Sequence, residues 1–327
     1  MQVAGRAGTL LLLAGAVATA SLPLFASQYH VEFVSAALVA ALFALSLQLL
    51  VGGAGMVSLG HAGFFGLGAY AVWFLSPGGG AAPSIFLTLP AAALAGAAAS
   101  LLVGALALRT RGFFFLMVTL AFGQMLFFLF HDTPLGGGAD GVYITRPALG
   151  ALGWAWDPGR RLRPAVLLWI NLGMLVLVYA GLAGLFRTLF GRALLGIRAN
   201  EHRMTALGLP AHRYKLAAFV LGGALAGVAG HGLAVTLPFV NPELLGWHRS
   251  ALALLAIVLG GAGWLHGPIL GALAFAVLGE AAGLVTERQH LVEGLVILAV
   301  VLALPQGLSG LRLRRPVPAP LPVGDPA

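Results

Sequence analysis

The sequence predicts an all-α protein, a polytopic transmembrane bundle of about 8–10 spanning helices interrupted by glycine-rich helix breaks. Three observations carry that prediction. The 327 residues are 60% hydrophobic and only 9% charged, whereas soluble domains carry about 25% charged residues. No Asp, Glu, Lys or Arg occurs between Phe33 and Leu108. Apolar runs near the roughly 20 residues needed to cross a bilayer recur along the whole chain.

These runs cover residues 9–26, 33–51, 58–76, 84–108, 113–131, 164–187, 214–237, 250–264, 267–285 and 291–308. The first is read as a retained helix. Arg6, the apolar run and Ala18-Thr19-Ala20 also fit a signal peptide with a small-residue cleavage site. Segments 52–60 and 260–268 are the glycine-rich breaks. The helices flanking each break are either separate spans or bent, re-entrant segments.

Charge supplies the orientation. The net charge of +8 fits the collection of cations in cytoplasmic loops. A nucleic-acid partner is excluded because no basic stretch is interleaved with aromatics. With both termini inside, twelve Lys and Arg are cytoplasmic and six are external, Arg249 among the latter. Arg160, Arg161 and Arg163 run against the bias.

Residues 1–310 read as one membrane domain and 311–327 as a short Pro-rich cytoplasmic tail. Two loops are long. The external one, 132–163, contains "LGGGADGVY" and, later, Trp154, Trp156 and Asp157. The cytoplasmic one, 188–213, lies in "RTLFGRALLGIRANEHRMTALGLPAHRYK". Burying the six cations of that stretch in lipid would cost roughly 15 kcal/mol, which keeps it out of the membrane. Ala193, Ile197, Met204 and Leu207 share one arc of a helix over 192–208, which Gly208 and Pro210 end. A helix resting on the lipid surface and a docking helix for a soluble partner both fit.

The stretch "GGAGMVSLGHAGFFGLGAY", residues 52–70, holds seven glycines. It cannot cradle a nucleotide, because a phosphate loop needs a Lys after its last glycine and the one Lys is Lys215. Ser58, Ala62, Gly66 and Ala69 form a small-residue face suited to close helix packing. Alternatively Gly52–Gly55 breaks the helix and turns backbone groups towards a cavity. "GGAG" recurs at Gly260–Gly263, followed by His266 and Pro268.

The lone polar residues of the apolar runs each admit a structural and a functional role. His61 is either a satisfied helix-end residue or a substrate or proton contact. Gln48, Gln124 and Asn171 suit interhelical hydrogen bonds. Glu280 is a functional candidate as an intramembrane carboxylate, or an interfacial one. No carboxylate pair, metal-ligand cluster or nucleophile–base spacing stands out.

Four motifs, in order, resemble one family over nearly the whole chain. Leu47 to Tyr70 resembles its Leu-Gly-His-Ala glycine signature, and "RGFFFLMVTLAFGQML" from Arg111 its Arg-Gly-x-Tyr-Phe segment. "GGGADGVY" is similar to its external Gly-Gly-x-Asp-Gly loop, and "LGGAGWLHGPILGA" to its Gly-Pro-x-x-Gly-Ala motif. "GRALLGIRANEHRMTALGL" resembles the coupling loop of ABC importer permeases, with "HRMT" departing from the usual small apolar residues. The family is the Liv-type branched-chain amino acid permeases, and the Arg-Gly-Phe-Phe-Phe segment and long external loop point to the M-type subunit.

The resemblance implies a non-enzymatic permease subunit of an ATP-driven importer in a bacterial inner membrane. It implies an H-type permease, two cytoplasmic ATP-binding subunits holding ATP and Mg, and a periplasmic substrate-binding protein as partners. Arg192, Arg198, Glu201 and Gly208 are then ATPase-coupling residues. Gly52, Gly55, Ser58, His61, Gly63, Gln124, Gly260, Gly263 and Pro268 are path or helix-break residues. Gly137, Asp140 and Gly141 are binding-protein contacts. The path is expected to carry no fixed charge. The rival reading is a secondary transporter or channel using Glu280 and the histidines as a relay. Substrates of such permeases extend to other amino acids, urea and amides.

Overall fold

In a chain this apolar, backbone N–H and C=O groups must pair within the protein, and helices achieve that locally. The computed structural model describes residues 6–76, 83–149, 158–285, 291–292, 294–295, 298–299 and 307–312. Its elements run α1 (Arg6–Ser21), α2 (Gln28–Gln48), α3 (His61–Leu75), α4 (Ile85–Ala107), α5 (Phe113–His131), β1 (Val142–Tyr143), α6 (Gly159–Leu185), α7 (Leu189–Ala199), α8 (Glu201–Ala206), α9 (Ala211–Thr236), β2 (Phe239–Val240), α10 (Trp247–Gly260) and α11 (Gly267–Val285).

Among the described residues six helices are long and apolar enough to cross a membrane: Gln28–Ala54, Ile85–Ala107, Phe113–His131, Leu162–Leu185, Ala211–Thr236 and Gly267–Leu284. The runs at 58–76 and 250–264 form shorter helices of 15 and 14 residues, each about 21–23 Å long, which fits the re-entrant alternative. The predicted first span at 9–26 is corrected to the 16-residue α1. Most of the run at 291–308, with Trp154, Trp156 and Asp157, falls outside the described residues.

Helix α2 forms the centre. Its residues from Ala41 to Leu45 are all buried, because α6, α9, α10 and α11 surround it. Helix α9 fits tightly between α3 and α4 through glycine. A β-carbon on Gly227 would lie 2.2 Å from the Ala92 carbonyl, and one on Gly230 would lie 1.9 Å from the Phe65 carbonyl. Lipid provides no hydrophobic drive between helices, so such backbone approach supplies the dispersion contacts that hold them. Asn171 of α6 donates to Ser35 of α2 at 2.8 Å and to Thr236 of α9 at 2.9 Å. Outward faces carry large apolar groups such as Leu102, Phe114 and Leu177, each at least 70% exposed, as a lipid-facing surface requires.

The two-residue strands β1 and β2 pair antiparallel, Val142 opposite Val240, a small exception to the all-α prediction. They fasten the loop after α5 to the connection between α9 and α10.

Replacing Gly227 with Leu is expected to destabilise the protein by about 3 kcal/mol or more, since overpacking here meets backbone rather than side chain. Gly263, with nothing within 4 Å of its would-be β-carbon, should accept Ala without effect. Thermal unfolding of the two purified variants in nanodiscs checks both expectations.

Candidate functional site

Helices α7 and α8 lie at the end of the bundle where α6 finishes and α9 starts. Thr188 caps α7 by accepting from the Gly191 amide at 3.4 Å. Asn200, with extended backbone, accepts from the Arg203 amide at 2.9 Å and starts α8. An Asn cap is a strong helix start, so the predicted single helix over 192–208 is corrected to two. Ile197 of α7 is buried and Leu207, past α8, is 72% exposed. They do not share one continuous apolar arc. Arg192 and Gly208 are exposed.

Glu201 pairs with Lys215 of α9 at 2.7 Å, fixing α8 against the next helix. Partial burial pushes the Glu201 carboxyl up. The hydrogen bond and charge of Lys215, with Arg111 and His202, outweigh burial and hold it below the ordinary value of 4.5.

Helix α7 sits beneath the first glycine break. There α2 widens into a π turn, Leu49–Ala54, and ends at Gly55 in left-handed conformation, φ 70°, which glycine adopts without strain. Arg198 Nη1 donates to the Gly52 carbonyl. A β-carbon on Gly53 would meet Phe186 and Leu194 at 3.1 Å, and one on Gly55 would meet the Arg198 stem at 3.0 Å. Gln48 reaches the second break, its Nε2 donating to the carbonyls of Ala262 at 2.9 Å and Trp264 at 3.2 Å. The two "GGAG" segments, more than 200 residues apart in sequence, are neighbours in space.

At the second break Gly261, rather than Gly260 or Gly263, takes the positive φ of 105°. Gly260 is needed for contact, since its β-carbon would lie 1.8 Å from the Gly267 carbonyl. Pro268 occupies the first turn of α11, where its missing N–H costs nothing.

Ser58 lies before α3 rather than on it, so the predicted small-residue face begins at Ala62. Its side chain is buried. His61 opens α3, fully buried, with Nε2 hydrogen-bonded to Ser46 Oγ at 2.9 Å and its ring stacked on Phe43 at 5.6 Å. A β-carbon on Gly63 would meet Leu126 of α5 at 2.9 Å.

The short helices α3 and α10 begin inside the bundle and meet there, the Ala62 amide donating to Ser250 Oγ at 2.8 Å. Beside this junction runs a groove of about 720 Å³, whose walls include Phe43, Phe65, Gln124, Phe127, Trp247 and Arg249. Of the predicted path residues, the groove gathers Gln124 alone. Arg249, predicted in an external loop, instead stands in the first turn of α10 with its guanidinium 5.7 Å from the Phe65 ring centre. Glu243 lines the same groove, so the expectation of a path without charge does not describe it.

At the opposite end Asp140 sits exposed in a single turn, Gly138–Asp140, after Gly137. A β-carbon on Gly141 would lie 2.6 Å from the Val240 carbonyl. Glu280 accepts from Tyr29 Oη at 2.6 Å, at the start of α2 and away from the groove.

A family described as the permease component of branched-chain amino acid transport systems matches residues 29–304. The chain belongs to this permease family. The permease is 32% identical over 319 residues to the high-affinity branched-chain amino acid transport system permease protein LivM of Escherichia coli, covering 91% of this chain and 74% of that one. It is 29% identical to the L-arabinose ABC transporter permease protein AraH of Azospirillum brasilense, covering 67% and 64% of the two chains. A LivH permease of Salmonella typhimurium aligns over 122 residues at 32% identity, 37% of this chain and 39% of its own. No solved structure matches. The matched span takes in both breaks, the groove and α7–α8 of this multi-pass membrane permease.

The depressed carboxyl of Glu201 sets a pH dependence. The stability it lends is full above pH 4.5 and is lost as pH falls through the lowered folded value. Glu201→Gln removes this contribution, about 1 kcal/mol or less for a partly exposed pair. Melting curves of both proteins between pH 7 and pH 3 should converge at the acid end.

Proposed function

We propose that this permease is the M-type subunit of an ATP-driven importer for branched-chain or related amino acids in a bacterial inner membrane. It works beside an H-type permease, two cytoplasmic ATP-binding subunits that hold ATP and Mg, and a periplasmic binding protein. The observation that carries the reading is the hydrogen bond from Arg198 of α7 to the carbonyl of Gly52. A force applied to α7 from outside the membrane meets backbone at the α2 break, and Gln48 passes it to the second break. The basic α7–α8 face is then cytoplasmic, in line with the excess of cations at that end. ATP-driven movement of the motor subunits shifts α7, and the hinged ends of α2 and α10 alternate access to the path.

The substrate class leans on the LivM relative, which the chain covers more fully than the arabinose relative. A proton relay through Glu280 is disfavoured, since that carboxylate accepts from Tyr29 and a relay gives α7–α8 no task.

In proteoliposomes containing the full complex, the double change Arg198→Ala, Glu201→Ala should lower uptake at least tenfold while assembly persists. Uptake and ATP hydrolysis at wild-type levels would sink the coupling role. Glu280→Gln should leave uptake within twofold of wild type, whereas a relay requires its loss.

A further inference from the structure

The groove beside α3 and α10 holds groups that the coupling scheme does not use. Phe65 is ten residues from the end of α3 at Leu75, about 15 Å at helical rise, so Arg249 stands well inside the bundle. A guanidinium facing hydrocarbon at such depth costs several kcal/mol, and intramembrane charges therefore face cavities or partners. Among the described residues no carboxylate lies within ion-pair distance of Arg249. Its neighbours are the Phe65 ring and, through longer-range attraction, Glu243. Glu243 itself is exposed and accepts from Asn241 at 3.2 Å. Gln124 of α5 also lines the groove, and its buried Oε1 has no hydrogen-bond partner among the described residues. Apart from His248, beside Arg249, the remaining walls are aromatic or aliphatic.

A cation, an anion, an imidazole and an orphan acceptor in one otherwise apolar groove do not suit a lipid tail or an inorganic ion. They suit a small dipolar molecule with an apolar side chain. A volume of about 720 Å³ falls in the range of roughly 300–1,000 Å³ found for small-molecule sites.

We propose that this groove is a zwitterion-binding station on the translocation path, a site that rests on the importer reading above. Arg249 takes the carboxylate of an aliphatic amino acid, aided by the positive end of α10. Glu243 and Gln124 Oε1 take the ammonium group. Phe43, Phe65, Phe127 and Trp247 enclose the side chain. The station holds the substrate weakly between the binding protein and the far side, so its loss affects delivery for each motor stroke.

The test measures leucine moved per ATP hydrolysed in proteoliposomes containing the complete complex and its binding protein. A defect that merely lowers the number of active complexes scales both rates and leaves this ratio unchanged. Arg249→Met and Glu243→Gln are each expected to lower it more than threefold. Either variant keeping more than a third of the wild-type ratio overturns the station. If Arg249→Met fails to assemble, Glu243→Gln, at an exposed position, decides alone. A wild-type complex with no leucine uptake dependent on ATP and binding protein would instead overturn the importer reading. Normal wild-type uptake with unaffected variants removes the station and leaves that reading standing.

Discussion

A helix that stops inside a membrane leaves carbonyls with no water to receive them, and each such group must be met by protein. Two side chains do much of this here. Arg198 meets the carbonyl of Gly52, and Gln48 meets those of Ala262 and Trp264. The satisfaction of broken backbone therefore doubles as the connection between a surface helix and two interruptions in the core. Neither interruption can relax without giving up a hydrogen bond, and a buried backbone group left unpaired costs about 1–3 kcal/mol.

Glycine serves two separate ends in this fold. At Gly55 and Gly261 it permits a backbone turn. Along α9 it removes volume, so that α3 and α4 approach to backbone contact. The first use creates ends inside the bundle, and the second holds the neighbouring helices tightly enough to keep those ends in place. The short helices α3 and α10 depend on both, because each is several residues short of a full span.

Much of this was legible in the sequence. Apolar runs mark the helices, the repeated "GGAG" marks the breaks, and the motif order marks the family. Depth was not legible. A run such as 250–264 has the same hydropathy whether it crosses the membrane or starts halfway, and only the packing of Ser250 against Ala62 distinguishes the cases. Arg249 was counted with loop cations for the same reason, since a charge beside an apolar run carries no sign of the side from which it enters. Asn200 hid a helix start inside a plausible amphipathic pattern. Gln48 looked like generic helix glue, because its partners lie 214 and 216 positions away and leave no local trace.

The two-residue ladder between β1 and β2 has a mechanical meaning out of proportion to its size. It binds the turn bearing Asp140 to the segment that descends into the bundle just ahead of Trp247. The exposed turn and the wall of the inner groove are thus two ends of one strut. A displacement of that turn is handed along the pairing of Val142 with Val240 to the segment that leads into the wall.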